Sequence, residues 1–406
     1  MSYKTRHLFL QKDVNMNKLL VLATVALIGS AHAAKWDRNN NPKLFDAVAA
    51  TKINMTFHDL PLSARLLDDS MAWSETFWPS RFGGIAYRWN HPNPQPFKYT
   101  LHTKEELLKM SEKELSQLSP SELYDIAMGD YGYTLTKKTL KSYKPDDLWW
   151  EGICDGWALA ASHYSEPDKT VVTNKDGIKV PFGASDVKGL LSMHEAYNAN
   201  GMYARVGARC KVNGKVTGES FPDDKFPNPP APKDANRPEC ADVNAGAFHV
   251  VIANMIGINS QGFIAEVDRY NDVWNQPVYS YDSKIVGELP LTEKDIKAGI
   301  DKKIQIKTDM TYAEELVFWK QKYADEGYLG FVSKEPVTGT LAQTYSVRNY
   351  EYVIELDNAG QVIGGEWISE TRPDMIWAKA KVPKFINGKY PLAGLSIIYK
   401  PVVHSK

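Results

Sequence analysis

The chain has 406 residues, 48 of them basic and 49 acidic, and 43% hydrophobic and 11% aromatic side chains. This composition excludes a disordered chain, a collagen-like repeat and a disulfide-stapled miniprotein, and the near-balanced charge gives no basic footprint for nucleic acid. There are 3 cysteines, so in an oxidising compartment one thiol stays unpaired.

The compartment is read first. Residues 16–34 are MNKLLVLATVALIGSAHAA. Lys18 supplies a positive start, an apolar run follows, and Ala31-His32-Ala33 is an A-x-A cleavage site. The apolar run is about ten residues, against roughly 20 needed to span a bilayer. Residues 1–33 are therefore predicted as a signal peptide, starting at Met1 or at Met16. The mature chain is expected to be secreted or periplasmic, with no membrane span.

Residues 34–102 are rich in Pro, Asn and Trp and lack periodicity. They form either an irregular wrap over the main domain or a removable pro-segment. Residues 103–406 carry the regular elements. Thr103 with Glu106 predicts a capping box, and Ser119-Pro120 a second helix start. A third helix begins near Gly152, with Cys154, Trp157, Ala158 and Ala161 at helical spacing. Residues 170–182 read as a hairpin turning at Lys175-Asp176-Gly177. Ser185 or Asp186 caps a helix that carries Leu190, Leu191 and Met193. Residues 221–238 are too rich in Pro for helix or central strand and predict a long loop. Residues 248–256 and 263–270 read as two neighbouring strands, and 349–356 with 361–368 as a late hairpin. Helices cluster early and strands late, which predicts an α+β fold.

Cys210 and Cys240 bracket the Pro-rich loop and are the expected disulfide, a ring closure worth roughly 3–4 kcal/mol in the chain-entropy model. Cys154 is left over. It stands in WWEGICDGWALAA, with Gly152 and Gly156 beside it and a helix following. The glycines permit close approach of another backbone or of a substrate. A helix N-terminus favours the thiolate, so Cys154 reads as a nucleophile rather than a buried structural thiol.

A thiolate nucleophile needs a base and a group to orient it. His58, His91, His102 and His404 lie in polar or Pro-rich stretches or near the chain end. His163 lies nine positions along the Cys154 helix, and His194 begins HEAYN, which lacks the second His of a zinc-protease motif. His249, in AGAFHVVIANM, is the candidate base on a buried strand. Asp268 on the following strand is the candidate orienting acid, ahead of Glu266 and Asp272. Trp149, Trp150 and Trp157 beside the cysteine are candidates to wall the substrate approach, or equally to pack in the core. No metal-ligand spacing is present.

The Cys154 segment, the strand GAFHVVIANMIG and the stretch VDRYNDVWNQPV together resemble the secreted transglutaminases of oomycetes, the transglutaminase elicitor family, which also has homologues in marine bacteria. Val273, Trp274, Asn275, Gln276, Pro277 and Val278 match the start of that family's surface elicitor peptide. The resemblance implies a papain-like core with Cys154, His249 and Asp268 as nucleophile, base and orienter. It implies protein-glutamine γ-glutamyltransferase activity on proteins bearing accessible Gln and Lys. It also implies a host-surface receptor for the hexapeptide, and calcium as a cofactor by family analogy only. After VWNQPV the chain reads Tyr279-Ser280-Tyr281-Asp282, unlike the rest of the elicitor peptide. Two rival functions share the sequence features: a papain-like cysteine peptidase, with the same site residues, and a secreted elicitor or binding protein without catalysis.

Overall fold

Serine and threonine caps build the first helices. The computed structural model describes residues 36–88, 100–142, 151–208, 211–212, 215–216, 242–267, 273–316 and 344–401. The signal peptide and the Cys210–Cys240 pair lie outside these residues. Residues 36–88 contribute short 3₁₀ helices and one strand, β1 (Ser63–Arg65). Four short helices follow, α1 (Lys104–Leu107), α2 (Glu112–Leu115), α3 (Pro120–Ala127) and α4 (Thr134–Leu140). Thr103 with Glu106, Ser111 with Glu114 and Ser119 with Glu122 each form a full capping box, and Pro120 occupies the first helical position. The first box and the Ser119-Pro120 helix start are those expected from sequence; the Ser111 box and the pairing of Ser119 with Glu122 are additional.

The helix α5 (Cys154–His163) begins at the cysteine itself. The hairpin β2 (Thr170–Thr173) and β3 (Lys179–Phe182) turns at Gly177 with φ +84°, a left-handed conformation that glycine adopts without strain. The helix α6 (Ala184–Tyr197) packs on α5. Its cap is Gly183, and Asp186 reaches back to the Gly183 N–H at 2.7 Å, so neither Ser185 nor Asp186 is the cap residue itself.

The sheet is built late in the chain, from β4 (Tyr203–Gly207), β7 (Phe263–Glu266), β8 (Asn275–Leu289), β9 (Lys302–Ala313), β10 (Tyr345–Leu356), β11 (Val362–Trp367) and β12 (Met375–Lys379). Between β4 and β7 lie the two-residue strands β5 (Lys211–Val212) and β6 (Lys215–Val216), which pair with each other. The large sheet runs β11-β10-β9-β8-β7-β12-β4, antiparallel throughout, and β1 adds to β8. Helix α8 (Glu293–Lys297) bridges β8 and β9. Early helices and a late antiparallel sheet make the fold mixed α and β. No helix among the described residues is long and apolar enough to cross a membrane.

One segment departs from its predicted class. Residues expected as a strand from 248 form α7 (Ala245–Ile252), which continues as a π-helical turn over Ala253–Ile258. Asn244 caps α7, its side chain accepting from the N–H groups of Gly246 at 2.9 Å and Ala247 at 3.3 Å. All eight residues of α7 are buried. A helix buried on every side shows no 3.6-residue pattern, and a short apolar run of that kind cannot be told from a buried strand by periodicity.

The register defines two faces of the sheet, because directly paired residues point to the same side and neighbours along a strand to opposite sides. Glu266 pairs with Asn275 and Met375, and Ile264 with Pro277 and Trp377, on one face. Phe263 pairs with Val278, and Val278 with Tyr312, on the other. Two-residue steps along β9 from Tyr312 reach Met310, Thr308 and Ile306. Thr308 pairs with Tyr350 and Ile306 with Tyr352, on that same second face.

The N-terminal stretch is woven into this core. Trp73 and Trp78 are each only 1% exposed. The Ile153 N–H donates to the Phe77 carbonyl at 2.8 Å, and the Ser80 N–H to the Glu151 carbonyl at 2.9 Å. The chain entering α5 is therefore hydrogen-bonded to residues 77–80.

Candidate functional site around Cys154

Two glycines set the position of the cysteine. A Cβ on Gly152 would lie 2.2 Å from the Phe77 carbonyl oxygen, and one on Gly156 would lie 2.2 Å from the Ser192 carbonyl oxygen of α6. Of the two roles open from sequence, close approach of backbone is the one observed. Trp157 follows with its ring fully buried and its indole N–H donating to the Trp73 carbonyl at 3.1 Å. It is core packing, and neither walls a substrate path nor offers an N–H to a reacting group. Trp149 and Trp150 lie outside the described residues.

The partly exposed Cys154 sits against the start of β8. Its thiol approaches the Val273 carbonyl at 3.8 Å, and the Asn275 Nδ2 donates to its sulfur at 3.5 Å. The Trp377 indole N–H donates to Asn275 Oδ1 at 2.9 Å. An indole N–H can only donate, so this bond fixes which end of the amide faces the sulfur. Glu266 Oε1 accepts the Trp274 N–H at 2.8 Å and so secures the turn into β8.

Electrostatics here oppose the expectation of a helix-stabilised thiolate. Burial pushes the Cys154 thiol well above its ordinary value. The carboxylates of Glu315, Asp155 and Glu266 push it further in the same direction, and the Asn275 hydrogen bond opposes them.

His249 is elsewhere. Its ring is completely buried, Nδ1 lies 2.8 Å from the Tyr352 hydroxyl, and that hydroxyl lies 2.7 Å from the Thr308 hydroxyl. Thr308 in turn lies 2.7 Å from the Ser283 hydroxyl. Tyr352 belongs to the second face of the sheet and Asn275 to the first, so the sheet stands between His249 and Cys154. Burial lowers His249 to about 4, which keeps its ring neutral. The structure thus brings Cys154 together with Asn275 but not with His249, and Asp268 lies outside the described residues.

The hexapeptide likened to a surface elicitor opens a central strand. Asn275 and Gln276 are each 5% exposed, Val278 is fully buried and Pro277 is buried, while Val273 and Trp274 are partly covered. It is wall of the cysteine site more than outer surface. Among the described residues no three His, Cys, Asp or Glu side chains gather as a metal-ligand set.

Asn275 is not among the catalytic residues expected from sequence, and Glu266 ranks there behind Asp268. Asn275 lay within the hexapeptide and was read for recognition; an amide in an apolar strand start could have marked a buried polar role. Glu315 carries no local signal at all.

A half-buried thiol at a helix start, facing an antiparallel sheet, defines a cysteine-centred α and β protein. The sequence profile of the transglutaminase elicitor family matches residues 145–388, more than half of the chain, and the protein belongs to that family. The crystal structure of the GP42 transglutaminase from Phytophthora sojae is similar in fold, with a TM-score of 0.58 and 19% identity, covering 90% of this chain and 98% of that one. No curated protein sequence matches the chain.

Proposed function

We propose that this protein is a protein-glutamine γ-glutamyltransferase acting through a Cys154 thioester, exported from the cell behind its N-terminal leader. The observation that carries this reading is the contact of the Cys154 thiol with the oriented Asn275 amide at the start of a helix, in a member of the transglutaminase elicitor family. The sulfur attacks the carboxamide carbon of a protein-bound glutamine. The Cys154 N–H, at the first position of α5, is the oxyanion donor of this scheme, since first-turn amides lack intrahelical acceptors. Ammonia leaves, and a lysine ε-amine or another primary amine then takes the acyl group to form the isopeptide bond. His249 has no part in the scheme, because it faces the other side of the sheet.

The test is incubation with a glutamine-containing protein and a labelled primary amine, with and without calcium. Covalent incorporation that disappears in Cys154→Ala is expected. Peptide fragments without incorporation would instead identify a cysteine peptidase, in which water takes the acyl group at the same site.

One observation favours a second reading. The raised Cys154 thiol suits a binding or elicitor protein that performs no chemistry. In that case wild-type protein would incorporate no amine under any condition.

A further inference from the structure

The Asn275 side chain offers more than its contact with the sulfur uses. A primary amide carries two N–H groups on one nitrogen. Among the described residues the acceptor that this nitrogen meets is the Cys154 sulfur, at 3.5 Å. Sulfur is a weak acceptor, and buried donors normally find strong ones. Asn275 is only 5% exposed, so solvent offers little in compensation. The thiol itself donates to the Val273 carbonyl at 3.8 Å, which leaves a sulfur lone pair for the Asn275 N–H.

The amide is nevertheless held firmly. Its oxygen accepts the Trp377 indole N–H at 2.9 Å, and the Trp377 side chain is buried. Trp377 lies on β12 with a strand on each side, paired to Ile264 of β7 and to Arg205 of β4. Turning the amide over would leave the indole N–H facing another donor. A strong donor, fixed by a paired strand and aimed at a reactive atom, is preorganised for charge that develops there.

We propose that the Asn275 side-chain N–H is a catalytic donor to the oxyanion of the tetrahedral intermediate, beside the Cys154 N–H, and that Trp377 is the residue that positions it. The inference rests on the transferase reading above. When sulfur bonds to the glutamine carboxamide carbon, the C=O π pair moves on to the oxygen. That oxygen lies two bonds from the sulfur, so a donor in contact with the sulfur is placed for the contact of about 3 Å that an oxyanion needs. The pair returns to re-form C=O as the C–N bond breaks, and the thiol proton leaves in the ammonia. In the second half-reaction the incoming amine raises the same oxyanion. C=O re-forms as the C–S bond breaks, and the proton lost by the amine restores the thiol. Asn275 gives and takes no proton, and no further reactant is needed.

Two variants separate donor from scaffold. Asn275→Ala removes the N–H, and Trp377→Phe keeps a ring in place while freeing the amide to turn. A donor to developing charge acts on the transition state alone, so kcat for amine incorporation should fall about 100-fold in Asn275→Ala with KM little changed. Trp377→Phe should reproduce most of that fall, and the double variant should be no worse than Asn275→Ala. The second readout is the affinity for a short peptide with an aldehyde in place of the glutamine carboxamide. Its reversible addition joins sulfur to the aldehyde carbon and moves the S–H proton to the oxygen, so loss of affinity does not simply report a harder ionisation of the thiol. Affinity should fall about tenfold in both variants, the scale of one lost hydrogen bond.

A kcat or an aldehyde affinity that stays near wild type in Asn275→Ala overturns the proposal. A Trp377→Phe effect that adds fully to that of Asn275→Ala overturns the positioning role. If Asn275→Ala does not fold, Trp377→Phe decides: falls in kcat and in aldehyde affinity support the donor, and unchanged values refute it. Wild-type protein that incorporates no amine refutes the transferase reading. Aldehyde affinity that still falls in Asn275→Ala would then leave the donor assignment standing, and affinity that does not fall would end both.

Discussion

Cys154 and His249 lie on opposite faces of one antiparallel sheet. The sulfur meets Asn275 on the face shared with Glu266 and Trp377, and the imidazole meets Tyr352 on the face shared with Thr308 and Met310. A residue that sequence composition nominates as a base is here the head of a buried hydroxyl chain.

The His249 relationship predicts an acid-sensitive fold. The ring resists protonation in the folded state at about 4, against 6.5 in the unfolded chain. Protons therefore bind the unfolded chain preferentially as pH falls through this window. Stability present above pH 6.5 should fall by about 3 kcal/mol between pH 6.5 and 4. His249→Gln should flatten that slope in urea titrations while keeping most of the amine-incorporating activity. Complete loss of activity in a folded His249→Gln protein would contradict the placement.

Glu195 predicts a second window, lower on the pH scale. Burial alone would raise its carboxyl, but hydrogen bonds from His163, His194 and Tyr164 hold it at about 2. Its oxygens lie 3.2 Å from His163 Nδ1 and 2.9 Å from the Tyr164 hydroxyl. A lowered carboxyl stabilises the fold above its unfolded value, and the benefit is lost as pH falls from about 4.5 towards 2. Glu195→Gln should cost roughly 3 kcal/mol at pH 7 by chemical denaturation, with the gap closing in acid.

Asn275→Ala removes the donor to the sulfur and leaves the Trp377 indole N–H without its acceptor. A buried hydrogen bond of this kind is worth about 1–3 kcal/mol, or roughly 5- to 150-fold in the rate of amine incorporation. Asn275→Asp should act differently. It adds a carboxylate next to the thiol, so Cys154 alkylation should require higher pH than in wild type.

The glycine beside the cysteine gives a packing prediction. In Gly156→Ala the new methyl meets the Ser192 carbonyl of α6 at 2.2 Å, so α5 and α6 must separate. Overpacking of this kind costs about 1–3 kcal/mol, measurable as a lowered melting temperature. Gly152→Ala should be comparably harmful, because its neighbour is the Phe77 carbonyl. Residues 77–80 thus brace the cysteine, so deletion of residues 36–88 should unfold the protein instead of activating it.

Local chemistry made much of the fold legible in advance. Ser119 and Pro120 mark the start of α3 through a cap oxygen and a preset φ, and Gly177 marks a hairpin through its positive φ. The Cys154 helix was legible because a glycine-flanked start and small apolar spacing are written in consecutive residues. The 245–258 segment was not, since burial on all sides erases the periodicity that separates helix from strand. The site was half legible for a different reason. Cys154 and Asn275 are brought together by α5 and β8, and such pairings across the chain leave no mark in any short stretch. His249 offered the right chemistry in the right kind of stretch, yet only strand register decides which side of a sheet a neighbour occupies.

The burial of Asn275 to Val278 at the root of β8, with Val273 and Trp274 partly covered before it, carries a consequence for detection. An antibody raised against VWNQPV as a free peptide should stain this protein on a denaturing blot and fail to capture it from native solution. The same hexapeptide would become readable after proteolysis, so its appearance in solution would report the protein's destruction, not its presence.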